Sequence, residues 1–114
     1  MRTTTQMTRT MKHNRIYISG PISGRTREEY MRHFREAEDY LWGEGLTPVN
    51  PTRFLPCRWI WIYKIIGYKL TLLYDLWQML RCQGLYMLDG WRTSRGANIE
   101  HDVARWFNLP IIDE

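Results

Sequence analysis

The 114-residue chain is 44% hydrophobic, 14% aromatic and 25% charged, enough to bury one core but not two, and reads as a single globular domain. Its two cysteines, Cys57 and Cys82, form no CxxC pair and have no His at ligand spacing. That excludes a disulfide scaffold and a zinc knuckle and makes a reducing, cytoplasmic compartment the expectation. Four of the 16 basic residues fall in the first fifteen positions, leaving 12 against 12 acidic residues, so the net charge of +4 belongs to the N-terminus and no nucleic-acid polymer is expected as a partner.

Residues 1–14, MRTTTQMTRTMKHN, are Thr-rich without an apolar run, as expected for a disordered basic tail preceding a domain over 15–114. Arg15–Ser19 is short, β-branched and followed by Gly20-Pro21, a strand entering a turn. Thr26-Arg27-Glu28-Glu29 forms a capping box, followed by Tyr30, Phe34, Ala37 and Leu41 at helical spacing, and Gly43 and Gly45 end that helix. Leu46–Val49 is a second strand, placed at a sheet edge by Pro48.

The apolar stretch Trp59–Leu80 is long enough to span a membrane but contains Lys64, Lys69 and Asp75. These cost about 9 kcal/mol, against roughly 3 to 5 returned by its Ile and Leu residues. A buried or oligomer-facing region is expected instead, as one helix or as two divided near Gly67. Leu85–Leu88 is an unbroken apolar strand of the kind covered on both faces, Gly96–Phe107 a third helix and Pro110–Ile112 a last strand. The order βαβαβαβ predicts a single-domain flavodoxin- or Rossmann-like three-layer α/β sandwich, with a short parallel sheet of about four strands in the order 2-1-3-4.

Ligands of open parallel sheets bind beyond the carboxyl ends of the strands. The loops leaving those ends are Gly20-Pro21-Ile22-Ser23-Gly24-Arg25, Asn50-Pro51 and Asp89-Gly90-Trp91-Arg92-Thr93-Ser94-Arg95-Gly96. The first and third carry Gly, Ser and Arg and lead into helix N-termini, a pattern shared by phosphate cradles and ordinary strand-to-helix turns. Neither is a P-loop or a GxGxxG fingerprint.

On a helical wheel of the third helix, Ala97, Ile99, Val103, Ala104, Trp106 and Phe107 fill one arc, and Asn98, His101, Asp102 and Arg105 the other. Glu100 falls inside the apolar arc, where a carboxylate is either a hydrogen-bonded structural group or a functional one with a perturbed pKa; its position near Ser94-Arg95-Gly96 favours function. Glu38 falls in the apolar arc of the first helix but further from the strand ends, and reads as a partly covered structural residue. Asp75 either faces solvent or pairs with Lys69 or Arg81, or is the second carboxylate of a pair with Glu100 of the kind glycosyl transfer uses. His101 reads as a surface residue. Tyr17 is a core tyrosine or a hydrogen-bond donor to a nearby carboxylate.

Together, Ile16-Tyr17-Ile18-Ser19-Gly20-Pro21-Ile22-Ser23-Gly24, Tyr74-Asp75-Leu76 and Gly90-Trp91 through Ser94-Arg95-Gly96-Ala97-Asn98-Ile99-Glu100 resemble the nucleoside 2-deoxyribosyltransferase-like superfamily, especially its small members in bacteria and their phages. The resemblance spans nearly the whole chain after the tail, and its most specific part is the spacing of Ser94, Gly96 and Glu100. It implies that Glu100 is the nucleophile forming a glycosyl-enzyme ester, that Asp75 protonates the leaving base or orients the site, and that Tyr17 positions the nucleophile. Relatives acting on free nucleosides have an acid near the position of Ser94, whereas nucleotide 5'-monophosphate N-glycosidases have serine. Ser94 with Arg95 therefore implies a 5'-phosphorylated substrate, for which Arg95 or Arg25 supplies charge-assisted bonds.

The expected phosphate- and substrate-binding set is thus Gly20, Ser23, Gly24, Arg25, Ser94, Arg95 and Gly96, with no metal and no organic cofactor. A homodimer or higher homo-oligomer is also implied, because larger relatives complete the site with residues of a neighbouring subunit beyond the last strand. This chain stops there, which leaves two functions open: cleavage or exchange of the N-glycosidic bond of a 2'-deoxyribonucleoside 5'-monophosphate, or a non-catalytic nucleotide-binding or interaction module. A third reading is a scaffold built on the Trp59–Leu80 surface.

Overall fold

The computed structural model describes residues 15–22, 24–54 and 68–114. The tail, Ser23, Cys57 and the part of the aromatic segment from 55 to 67 lie outside them. Four strands, β1 (Arg15–Ser19), β2 (Thr47–Val49), β3 (Gly84–Met87) and β4 (Ile111–Asp113), form one sheet. It is wholly parallel with the order β2-β1-β3-β4. Helices α1 (Arg27–Gly43), α2 (Tyr68–Leu80) and α3 (Arg95–Trp106) cover it, joined by 3-10 turns at Pro51–Phe54 and Trp91–Thr93. The expected fold class and strand order are those observed, and β3 and β4 each shift by a single residue.

The two faces follow from the period-two pleat. Ile16, Ile18, Tyr86 and Leu88 point to α1 and pack with Phe34, Ala37 and Leu41. Tyr17, Leu85 and Met87 point the other way, against Met79 of α2 and Ala97 and Ala104 of α3. β2 stands at the edge, where Pro48 lies opposite Ile16 without having to donate to a second neighbour.

The α1 capping box is formed as its sequence requires: Thr26 Oγ1 accepts from Glu29 N at 3.1 Å, and Glu29 Oε1 accepts from Thr26 N at 3.2 Å. The helix ends where Gly45 takes φ 79° and Leu46 N donates to Leu41 O. Within the third helix the wheel fails at one end. Trp106 is 83% exposed and Phe107 58%, because a wheel projection ignores where along the helix axis the sheet stops. No helix among the described residues is long and apolar enough to cross a membrane.

Candidate functional site

The sheet order reverses between β1 and β3, β1 leading to β2 on one side and β3 to β4 on the other. At such a switch point the loops diverge and leave a crevice beyond the carboxyl ends of the two strands. Tyr17 and Ser19, two residues apart on β1, share the face covered by α3, and Glu100 meets both. Tyr17 Oη donates to Glu100 Oε2 at 2.9 Å, and Ser19 Oγ donates to Glu100 Oε1 at 2.6 Å. All three residues are buried, Glu100 being 7% exposed.

No cation pairs with this carboxylate among the described residues. Burial raises the Glu100 carboxyl to about 7; the Ser19 and Tyr17 hydroxyls pull it down and the charge of Asp75 pushes it further up. Burial first, then the charge of Glu100, hold the Tyr17 phenol well above its ordinary range, so it stays protonated and donates. Asp75, on α2, is half-buried and raised to about 6 by desolvation. Its coupling to Glu100 and Tyr17 is electrostatic rather than a hydrogen bond, and Arg81 lies over the Trp77 ring rather than on Asp75.

The expected binding residues divide by what holds them. Ser94 is the N-cap of α3, its Oγ accepting from Ala97 N at 3.3 Å. Arg95 is exposed and Gly96 half-buried in the first turn of the same helix, upstream of Glu100. Gly20 is buried, and a Cβ there would lie 2.7 Å from the Leu88 side chain, so its glycine identity lets β1 and β3 close together. Gly90 takes φ 84°, and a Cβ there would lie 2.7 Å from Arg25 Nη2. The loop after β1 thereby rests its guanidinium against the loop after β3. Gly24 takes φ 81° in open space and is a turn residue.

Several positioning groups escaped the sequence reading. Ser19 is the closest hydroxyl to Glu100, and its signal was the strand alternation that places it on the face of Tyr17. Asn98 Nδ2 donates to the carbonyls of Arg92 at 2.9 Å and Ser94 at 2.7 Å, fastening the 3-10 turn to α3. His101 is half-buried, not a surface residue, and its ring stacks on Trp91 with centroids 4.3 Å apart. Glu114 Oε1 accepts from Asp89 N and from His33 Nε2, each at 2.7 Å, tying the loop after β3 to α1. Among the described residues no group of three or more His, Cys, Asp and Glu side chains could hold a metal ion.

With this geometry in view, comparison with known proteins adds one match. The model of DUF4406, a domain of unknown function, covers residues 14–113. The chain belongs to the DUF4406 family. No curated protein and no solved structure matches it. The DUF4406 match begins one residue before β1 and ends with the last residue of β4, so it takes in the whole sheet together with Tyr17, Asp75 and Glu100.

Proposed function

We propose that this protein cleaves or exchanges the N-glycosidic bond of a 2'-deoxyribonucleoside 5'-monophosphate through a glycosyl ester on Glu100. The observation that carries the reading is a carboxylate buried at the sheet's switch point and held by two hydroxyls, with no cation paired to it among the described residues and a second carboxyl on α2 coupled to it by charge. The resemblance of the strand-end motifs to the nucleoside 2-deoxyribosyltransferase-like superfamily supports it independently.

In the first step an oxygen of Glu100 bonds to the anomeric carbon and the carbon–nitrogen bond breaks. Its electron pair goes to the base, which takes the proton held by Asp75. Water, or the nitrogen of a second base, then attacks the same carbon. It gives up its proton to Asp75, and the Glu100 carboxylate is released. Ser94 and Arg95 at the start of α3, and Arg25 on the loop after β1, supply the donors a 5'-phosphate requires.

The test is chromatographic detection of free base after incubation with a panel of deoxyribonucleoside 5'-monophosphates, with and without a second base. Release without acceptor identifies a hydrolase and exchange a transferase. The rate should follow a bell centred between about pH 6 and 7, whose limbs belong to the coupled Asp75–Glu100 pair. Binding by calorimetry with no base released from any nucleotide would overturn the catalytic reading in favour of a nucleotide-binding module.

A further inference from the structure

Glu100 is held at both oxygens by one strand, and the shorter of the two bonds comes from a motif residue to which the sequence assigns no role. Ser19 Oγ lies 2.6 Å from Oε1, while Tyr17 Oη lies 2.9 Å from Oε2. Ser19 is 1% exposed, so no bulk water competes for Oε1 from its side. Its backbone carbonyl accepts from Leu88 N at 2.8 Å, which anchors the residue to β3 whatever its side chain does. A carboxylate oxygen has two lone pairs, so each oxygen of Glu100 keeps one for chemistry after accepting these bonds.

We propose that Ser19 is a positioning residue for Glu100, fixing the plane of its carboxylate and favouring its ionised form through the Oγ–H donated to Oε1. The role builds on the proposed glycosyl transfer, because an ionised, oriented Glu100 is what attack on an anomeric carbon demands. It is also a statement about the free protein. A hydroxyl that donates to a carboxylate stabilises the charged form, and opposes the effect of burial at the same group. When Glu100 becomes an ester its charge disappears and the bond from Ser19 weakens, so the serine helps the ester revert to carboxylate in the second step.

The test is a carbon-13 NMR titration of the Glu100 side-chain carboxyl in the full chain without substrate, assigned by loss of its signal in Glu100→Gln. Ser19→Ala and Ser19→Cys should each raise the midpoint by about one pH unit. The thiol of the cysteine variant fills nearly the same volume but donates weakly. Ser19→Thr, which keeps the hydroxyl, should hold the wild-type midpoint. In base release, the alkaline limb of the pH profile should move upward with the titration in the alanine and cysteine variants and the maximal rate should fall, because Glu100 is the higher of the two coupled groups and the acidic limb stays with Asp75. A midpoint unmoved in folded Ser19→Cys would overturn the proposal, since a space-filling serine predicts no shift. If the wild-type chain releases no base, the catalytic reading fails alone and the titration still decides the role of Ser19.

Discussion

Two glutamates of this chain lie buried to almost the same degree, Glu38 at 6% and Glu100 at 7% exposure, each on a helix facing the sheet, and their surroundings make them opposites. Glu38 receives the Arg53 guanidinium on both oxygens, from Nε at 2.5 Å and Nη2 at 2.6 Å. Those bonds hold its carboxyl below the ordinary range despite burial. Among the described residues Glu100 receives only neutral hydroxyls, and burial wins. A buried carboxylate with its own cation is a tie between elements, here α1 and the turn after β2. One without a cation stays poised between protonation states near neutral pH, which is useful for chemistry and costly for stability.

The largest effect should come from Glu100→Gln. If Glu100 is the nucleophile, base release falls by roughly 10³-fold or more. Stability should move the other way. The folded carboxyl holds its proton to about 7 against an ordinary 4.5, so across that window the folded state binds more protons than the unfolded one. Stability therefore falls as pH rises from about 4.5 to 7, by up to about 3 kcal/mol above the window. Removing the charge should flatten this dependence and make the variant more stable than wild type at pH 8, as measured by urea unfolding at several pH values. A variant no more stable than wild type at pH 8 would show that the Ser19 and Tyr17 hydroxyls already offset burial in full.

Arg53→Met would move Glu38 towards the state of Glu100. Glu38 contributes stability that is present above the ordinary carboxylate pKa and lost as pH falls through its lowered folded value. Without Arg53, the largest cause of that lowering, the acid-side dependence should shrink to what Asn50 and Arg35 sustain. Stability at pH 7 should drop by about 1–2 kcal/mol, a discounted figure because the guanidinium is itself 63% exposed. Urea midpoints at pH 3.5 and 7 check both statements, and the double variant Glu38→Met with Arg53→Met should recover part of the loss. An unchanged midpoint in the single variant would mean that Asn50 and Arg35 suffice to hold the Glu38 charge.

The different legibility of the two glutamates follows from what local pattern can carry. Strands and helices were readable because caps and periodicity are local: Thr26 and Glu29, three residues apart, form the box their identities announce. The wheel also placed both glutamates inside apolar arcs, and both are buried. Their partners are another matter. Arg53 lies in a 3-10 turn outside any periodic element, and Ser19 is 81 residues from Glu100, so only tertiary folding decides which carboxylate gains a cation. The local pattern leaves Asp75 between solvent and site for the same reason, its catalytic role being implied by the resemblance alone: its desolvation is set by packing of α2, which its flanking leucines do not specify. Ser94 stood out as a candidate ligand, and it is also the cap of α3, because a serine hydroxyl at a helix start suits both tasks.

The smallest effects should separate those two tasks of Ser94. Thr26 caps α1, the helix of Glu38, in an exposed box, whereas Ser94 caps α3, the helix of Glu100, from a buried position. Thr26→Ala and Ser94→Ala should each cost about 1 kcal/mol in urea unfolding, the common price of a lost N-cap. Their effects on base release should differ. Thr26→Ala should leave the rate unchanged, since α1 packs on the opposite face of the sheet from Glu100. Ser94→Ala should raise KM for a 5'-monophosphate more than for the corresponding nucleoside, because the serine hydroxyl can still donate its proton to a phosphate while its oxygen accepts from Ala97 N. Equal changes for both substrates would reduce Ser94 to a cap, and leave Arg95 and Arg25 to recognise the phosphate.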